Sequence, residues 1–193
     1  MTFLTPAGLQ PGAWLVLRRD GEWVDRSYLD PRMSRARPNV EIVVEPQTRV
    51  EALVASGEGV AVEFKEQIPD DGEGRRRVCR TVAAFANGAG GTILFGVTRD
   101  GAVVGVPGSA GRRERATDVS NFVKDIVDPL PDYDVEEVEL ETSGRVVVVL
   151  SVGLGVDRPY GVGRTSPTFY IRRSATTFPA TQSQIRELAR GDS

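Results

Sequence analysis

The sequence predicts an α+β fold: a two-layer sandwich, with a mixed sheet and two main helices on one side, plus a small β-rich N-terminal appendage. Three observations carry this. Residues 76–87 and 117–127 repeat apolar side chains at helical spacing. Around them run short segments that either alternate like half-buried strands or are apolar throughout. The first 46 residues hold strand and turn signals. The order strand, helix, strand with hairpin, helix, strand, strand packs as sheet against helices. A chain of 193 residues with a 40% apolar share suffices for one core and an appendage. We divide it into residues 1–46 and 47–193.

In the appendage, Trp14-Leu-Val-Leu-Arg-Arg, the Asp20-Gly turn and Glu22-Trp-Val read as a hairpin. A basic, proline-bearing loop covers 31–38, and 40–44 reads as a strand. A short helix over 49–56 carries Val50, Leu53 and Val54 on one face and stops at Gly57. Residues 60–65 alternate, with Val60, Val62 and Phe64 on one face and Glu63 and Lys65 on the other. A polar loop over 68–75 precedes the first main helix, whose apolar face holds Val78, Val82, Phe85 and Ala86. That helix stops at Asn87-Gly88. Residues 91–97 form a buried strand, Arg99-Asp100-Gly101 a turn, and 102–106 the returning hairpin arm. The second main helix buries Val119, Phe122, Val123, Ile126 and Val127 and ends before Pro129. Strands follow over 135–141, 145–152 and 168–172, the last after a Gly-rich loop over 159–167. Thr181 with Gln184 caps a final helix ending near Gly191.

Composition narrows the chemistry. With no His, a Ser-His-Asp triad, a Cys-His pair and a His general base are excluded. The single Cys79 makes no internal disulfide and reads as a small buried hydrophobe, and the usual structural zinc sites fail. No run is apolar enough for a bilayer, and the start lacks signal-peptide character, so a reduced cytoplasm fits. Lys65 and Lys124 are the only lysines; the other cations are arginines. Arg forks onto phosphate, but a GC-rich genome produces the same bias. The net charge of −3 does not advertise a polyanion partner, so contact with one requires local patches.

Val62-Glu-Phe-Lys-Glu, then Thr81-Val-Ala-Ala-Phe-Ala-Asn-Gly-Ala-Gly-Gly-Thr-Ile-Leu-Phe-Gly-Val, then Gly105, resemble the Schlafen AlbA-type domain family. Arg158-Pro-Tyr and Phe169-Tyr-Ile-Arg-Arg-Ser resemble its C-terminal segment, so the likeness runs over 51–188. It implies an AlbA-like fold and nucleic-acid binding, often at the front of a bacterial transcriptional regulator. Other members cut tRNA or related RNAs. A former description of the family as a divergent ATPase gains nothing here, because no P-loop is present. Gly88-Ala-Gly-Gly91 reads instead as a helix stop with close backbone approach.

Nuclease members use two carboxylates around the Glu-Phe-Lys strand and an Asp after the Gly-Val strand. Glu58 and Glu63 match the first two and would hold Mg²⁺ or Mn²⁺ to activate water. Arg99 stands at the third position and Asp100 one residue later; an Arg there repels a metal. The plainer reading pairs Glu63 with Lys65 and leaves Glu58 solvated. Phosphate contacts are expected from Arg75, Arg76, Arg77 and Arg80 at the first helix, from Arg112, Arg113 and Arg115 before the second, and from Arg172 and Arg173 after a strand. An ordinary solvated face is the alternative for each cluster. Phe85 and Phe95 read as core, while one of Tyr160, Phe169 and Tyr170 is a candidate to stack on a base, with plain packing the alternative for each.

The expected function is a module that grips RNA or DNA through backbone phosphates without fixed sequence, and needs no cofactor. The alternatives are a metal-dependent endoribonuclease using Glu58, Glu63, Lys65 and Asp100, and an interaction module recruiting a protein through residues 1–46. Larger family members carry two such lobes, so the resemblance implies that two copies of this chain pair as a homodimer.

Overall fold

The structure is a computed structural model that describes residues 3–4, 14–19, 22–28, 42–43, 46–108, 114–140 and 144–191. Two compact units divide the chain, Met1–Ala52 and Leu53–Ser193. The first contains β1 (Phe3–Leu4), β2 (Trp14–Arg19), β3 (Glu22–Tyr28) and β4 (Ile42–Val43). β2 and β3 pair antiparallel, as expected of the hairpin arms, while the expected Asp20-Gly turn lies outside the described residues; β1 pairs in parallel with β4. The loop expected over 31–38 lies outside the described residues. Helix α1 (Pro46–Ser56) runs across the division and starts on a proline, whose fixed φ suits a first helical turn.

The second unit continues with β5 (Val62–Lys65), α2 (Gly72–Asn87), β6 (Gly91–Phe95), β7 (Val106–Pro107), α3 (Arg115–Ile126), β8 (Val127–Asp128), β9 (Tyr133–Glu139) and β10 (Arg145–Val152). It closes with β11 (Gly161–Val162), β12 (Thr168–Arg173), β13 (Thr176–Pro179) and α4 (Gln182–Arg190). The fold is α+β with parallel and antiparallel pairing, as expected, but the strands form two sheets in this unit. One runs β5-β6-β10 with β9 on the far side of β10 and β7 beside its start. Only β5 and β6 are parallel there. The other is antiparallel, in the order β13-β12-β11-β8. β9 ends the first sheet, and its Asp134, Glu136, Glu137 and Glu139 are the kind of charges that stop an edge strand from pairing further.

β10 is paired on both sides and buried on both faces, which explains its unbroken apolar sequence. On one face Val148, Leu150, Ile93 and Phe95 meet Val78, Val82 and Phe85 of α2 and Val119, Phe122 and Val123 of α3. Tyr160 and Val162 join the same core from the second sheet. Each fully buried large apolar side chain contributes about 1.5–3 kcal/mol.

Three local expectations change. Val60 is 61% exposed, because Gly59 N–H donates to the Val62 carbonyl (2.9 Å) and the strand begins only after that turn. Residues 102–106 make a single bridge, Val97 with Val103, and β7 then leaves to pair with β10. The cause is Gly96, whose φ of +98° and carbonyl bonds from both Val104 and Gly105 N–H fold the chain tightly back. β13 adds a strand where the sequence reading places no element, just before the Thr181 cap. It pairs with β12 along Thr176–Pro179.

Candidate nucleic-acid interface

Strand alternation decides which polar groups of β5 face inward. β5 pairs with β6 so that Glu63 sits beside Ile93, on the α2 side of the sheet. There it meets Arg172 of β12. Arg172 Nη2 donates to Glu63 Oε2 (2.7 Å) and to the Val62 carbonyl (3.1 Å). Its Nε donates to the Gly59 carbonyl (2.9 Å), its Nη1 to Thr177 Oγ1 (3.3 Å), and its guanidinium lies over the Phe85 ring at 5.0 Å. Lys65 Nζ pairs with the second carboxylate oxygen, Glu63 Oε1. The Arg172 side chain is 3% exposed and that of Glu63 12%. This corrects one expectation: Arg172 is a tie between β12 and β5, closed to phosphate. The Glu63–Lys65 pair is present, but as part of a triad with the buried Arg172.

The three carboxylates of the cleavage reading do not converge. Both oxygens of Glu63 already accept from cations. Glu58 Oε1 accepts from Phe64 N–H (3.0 Å), so Glu58 braces the turn before β5 instead of standing in solvent. Asp100 is exposed in the 98–101 turn, where the Thr98 hydroxyl donates to it and holds its carboxyl below the usual carboxylate range. Arg99 beside it is exposed. Among the described residues no three carboxylate or thiol groups gather as metal ligands.

Helix α2 starts earlier than the expected residue 76. Asp71 caps it, Oδ1 accepting from Gly74 N–H (2.8 Å), and that bond keeps the Asp71 carboxyl below its ordinary pKa. Two glycines in the first turn disguise the start in the sequence. Arg75, Arg76 and Arg77 therefore stand on the second turn of a rigid helix, all three exposed. Arg75 Nε donates to the Pro69 carbonyl (3.3 Å); among the described residues, Arg76 and Arg77 make no hydrogen bond or ion pair. Arg80 is drawn down against the protein, paired with Glu73 (3.0 Å) and 5.8 Å from the Tyr170 ring centre. Arg115 donates to the Pro107 carbonyl (3.1 Å) and lies 3.9 Å from Asp118. Arg112 and Arg113 fall outside the described residues. Arg173 is exposed and, one residue along β12, faces away from Arg172. Among the described residues, the exposed arginines of these clusters are Arg75, Arg76 and Arg77 on α2, with Arg173 as a separate exposed cation.

Asn87 is a structural residue that sequence reading treats as a helix stop. Its Nδ2 donates to the carbonyls of Tyr160 and Tyr170 (both 2.9 Å), and its Oδ1 accepts from Tyr160 N–H (2.7 Å). The end of α2 is thereby joined to the second sheet. Its signal was a lone amide on an apolar helical face. Next to it, Gly91 leaves room for the Phe85 ring, which a Cβ would meet at 2.6 Å. Tyr160 is buried, and its hydroxyl accepts from Asp157 N–H (3.1 Å), so it is no stacking platform. Cys79 lies buried against the Phe122 carbonyl, and burial pushes its thiol up to about 12, which leaves it inert. A second missed signal is charge: between Asp157 and Glu187 there is no acid, but there are five arginines, Arg158, Arg164, Arg172, Arg173 and Arg186.

Fold and site together define an α+β domain whose glycine and Asn-Gly motif is a packing signature and which carries three consecutive exposed arginines on α2. The Schlafen, AlbA_2 family model matches residues 58–181. The chain belongs to that family, whose domains are generally nucleic-acid-related. No curated protein matches it in sequence. Among solved structures, the DIP2311 protein from Corynebacterium diphtheriae superposes with a TM-score of 0.52 at 20% identity. The likeness covers 75% of this chain and 28% of that one, so it speaks for the fold alone. Among the described residues no helix is long and apolar enough to cross a membrane.

Proposed function

We propose that the chain holds RNA or DNA through backbone phosphates, largely without sequence preference, and that two copies act together as a homodimer. The observation that carries this lies on α2: three consecutive exposed arginines fanned over one helical turn, two of them without a hydrogen bond or ion pair among the described residues. Forked guanidinium groups suit phosphate, and a helix holds them at fixed spacing. Phosphate contacts of this kind position a backbone and read little sequence. Family membership supports the same reading. No observation favours cleavage, since the Glu63 carboxylate is already neutralised on both oxygens.

Fluorescence anisotropy with tRNA and with duplex DNA tests it. Three phosphate contacts give a salt slope of about −2.7 on duplex, so affinity falls about 40-fold between ~50 and ~200 mM salt. Reversing Arg75, Arg76 and Arg77 to Glu abolishes binding to both probes. Binding that survives the reversal with an unchanged slope removes these arginines from the reading. Sedimentation equilibrium checks the dimer, which is wrong if the chain stays monomeric with nucleic acid bound.

A further inference from the structure

The outer face of the second sheet is built differently from the rest of the surface. On β12, Tyr170 and Arg172 turn inward to α2 and β5, so Phe169, Ile171 and Arg173 share the other face. Register places Phe178 of β13 opposite Ile171, and Thr176 opposite Arg173. Phe169 pairs with Gly161, where a Cβ would come within 3.1 Å of the Phe169 ring, so a bare glycine leaves that ring lying over the strand. Phe178 is 46% exposed and is the one exposed aromatic among the described side chains. Arg173, two positions from Ile171 along the same face, is exposed and makes no ion pair among the described residues.

Strands β11, β12 and β13 fall within the acid-free run between Asp157 and Glu187. Asp128 of β8 is in register with Gly161 and Phe169 on this face, two strands from β12 and at the opposite end of it from Arg173. The Phe178–Arg173 end therefore carries the cation without an acid beside it. In a chain with 27 acidic residues and net charge −3, its complement is an anion, and its aromatic surface takes a flat ring. An anionic chain with exposed flat rings is an unpaired nucleic-acid strand; in a duplex the ring faces are stacked away.

We propose that this face, with Phe178 as the stacking platform and Arg173 as the phosphate contact beside it, binds unpaired bases, so that the preferred ligand is single-stranded or locally unpaired nucleic acid. The inference rests on the phosphate-binding reading and names its substrate class.

The test uses the full chain and short fluorescein-labelled DNA and RNA strands, each also annealed to its complement. Wild type binds the strands more tightly than the duplexes. Phe178→Ala and Phe178→Leu each weaken strand binding at least about fivefold and leave duplex binding unchanged. Phe178→Tyr, which keeps a flat ring, restores strand affinity. The stacking role is overturned if Leu serves as well as Phe, or if strand and duplex weaken equally. It is likewise overturned if Phe178→Ala splits a dimer in sedimentation while binding persists, which assigns the face to a second copy. Duplex binding that depends on Arg75–Arg77 but ignores Phe178 removes stacking alone. No binding of any probe at low salt removes the phosphate-binding reading as well.

Discussion

The two faces of β12 place alternate residues of one strand in opposite circumstances. On the inner face the Arg172 guanidinium is enclosed by Glu63, the Gly59 and Val62 carbonyls, Thr177 and the Phe85 ring. On the outer face Arg173 stands exposed with Ile171 and Phe178 for neighbours. Both are arginines, and they are adjacent in sequence. What separates their roles is whether the charge has already been neutralised. A buried guanidinium with its donors occupied holds sheets together; an exposed one without a partner is available to a ligand.

The strongest way to break this contrast is Arg172→Ala. It leaves Glu63 with Lys65 alone, takes the Arg172 donor from the Gly59 carbonyl and leaves the Val62 carbonyl with the Gly59 N–H only. Removing one partner of a buried pair costs about 3–5 kcal/mol. In a domain of this size that lowers Tm by roughly 10 °C. Calorimetry or urea unfolding checks it, and a loss within experimental scatter would show that the tie between β12 and β5 is dispensable. Arg172→Lys recovers only part of the loss, because an ammonium cannot reach the carboxylate and two carbonyls in one plane.

Asn87→Ala comes next. It removes the amide but leaves Tyr160 N–H and the Tyr160 and Tyr170 carbonyls buried without their partner. Unsatisfied buried groups cost about 1–3 kcal/mol each at most, and relaxation recovers some of that, so about 2–3 kcal/mol is expected in urea titrations. Asn87→Asp is the sharper variant: it keeps the acceptor for Tyr160 N–H and turns the two donor bonds into carbonyl–carboxylate repulsion. It destabilises at least as much as Ala if the amide's donor side is what matters.

Much of the second unit is legible from periodicity. α3, β10 and the Thr181–Gln184 capping box appear where spacing and cap chemistry put them, within a residue or two. Those elements are governed by local rules. The start of α2 was hidden because Gly72 and Gly74 have poor helix propensity, and only the Asp71 cap reveals it. The second sheet was hidden for another reason: β8 and β11 are two residues long, too short to show alternation, and their pairing is non-local. Site residues divided in the same way. Alternation correctly put Glu63 and Lys65 on one face of β5, but nothing local says that this face meets Arg172, 109 residues away. Arg75–Arg77 are visible as a run, whereas which arginines are already paired is a tertiary fact.

The smallest effect, and the cleanest contrast with Arg172, belongs to Arg173→Ala. No hydrogen bond or ion pair among the described residues is lost, so stability changes by less than about 0.5 kcal/mol. Affinity for a nucleic-acid strand falls modestly, and the slope of log affinity against log salt becomes shallower by about 0.7, the value of one phosphate contact on a single strand. The same substitution one residue earlier in the chain moves Tm, and at this position it moves the salt slope. If instead Arg173→Ala shifts Tm and leaves the slope alone, the outer face of β12 is structural like the inner one. The unpaired charge would then have to be satisfied by protein outside the described residues, and the polyanion would have no cation on this sheet to meet.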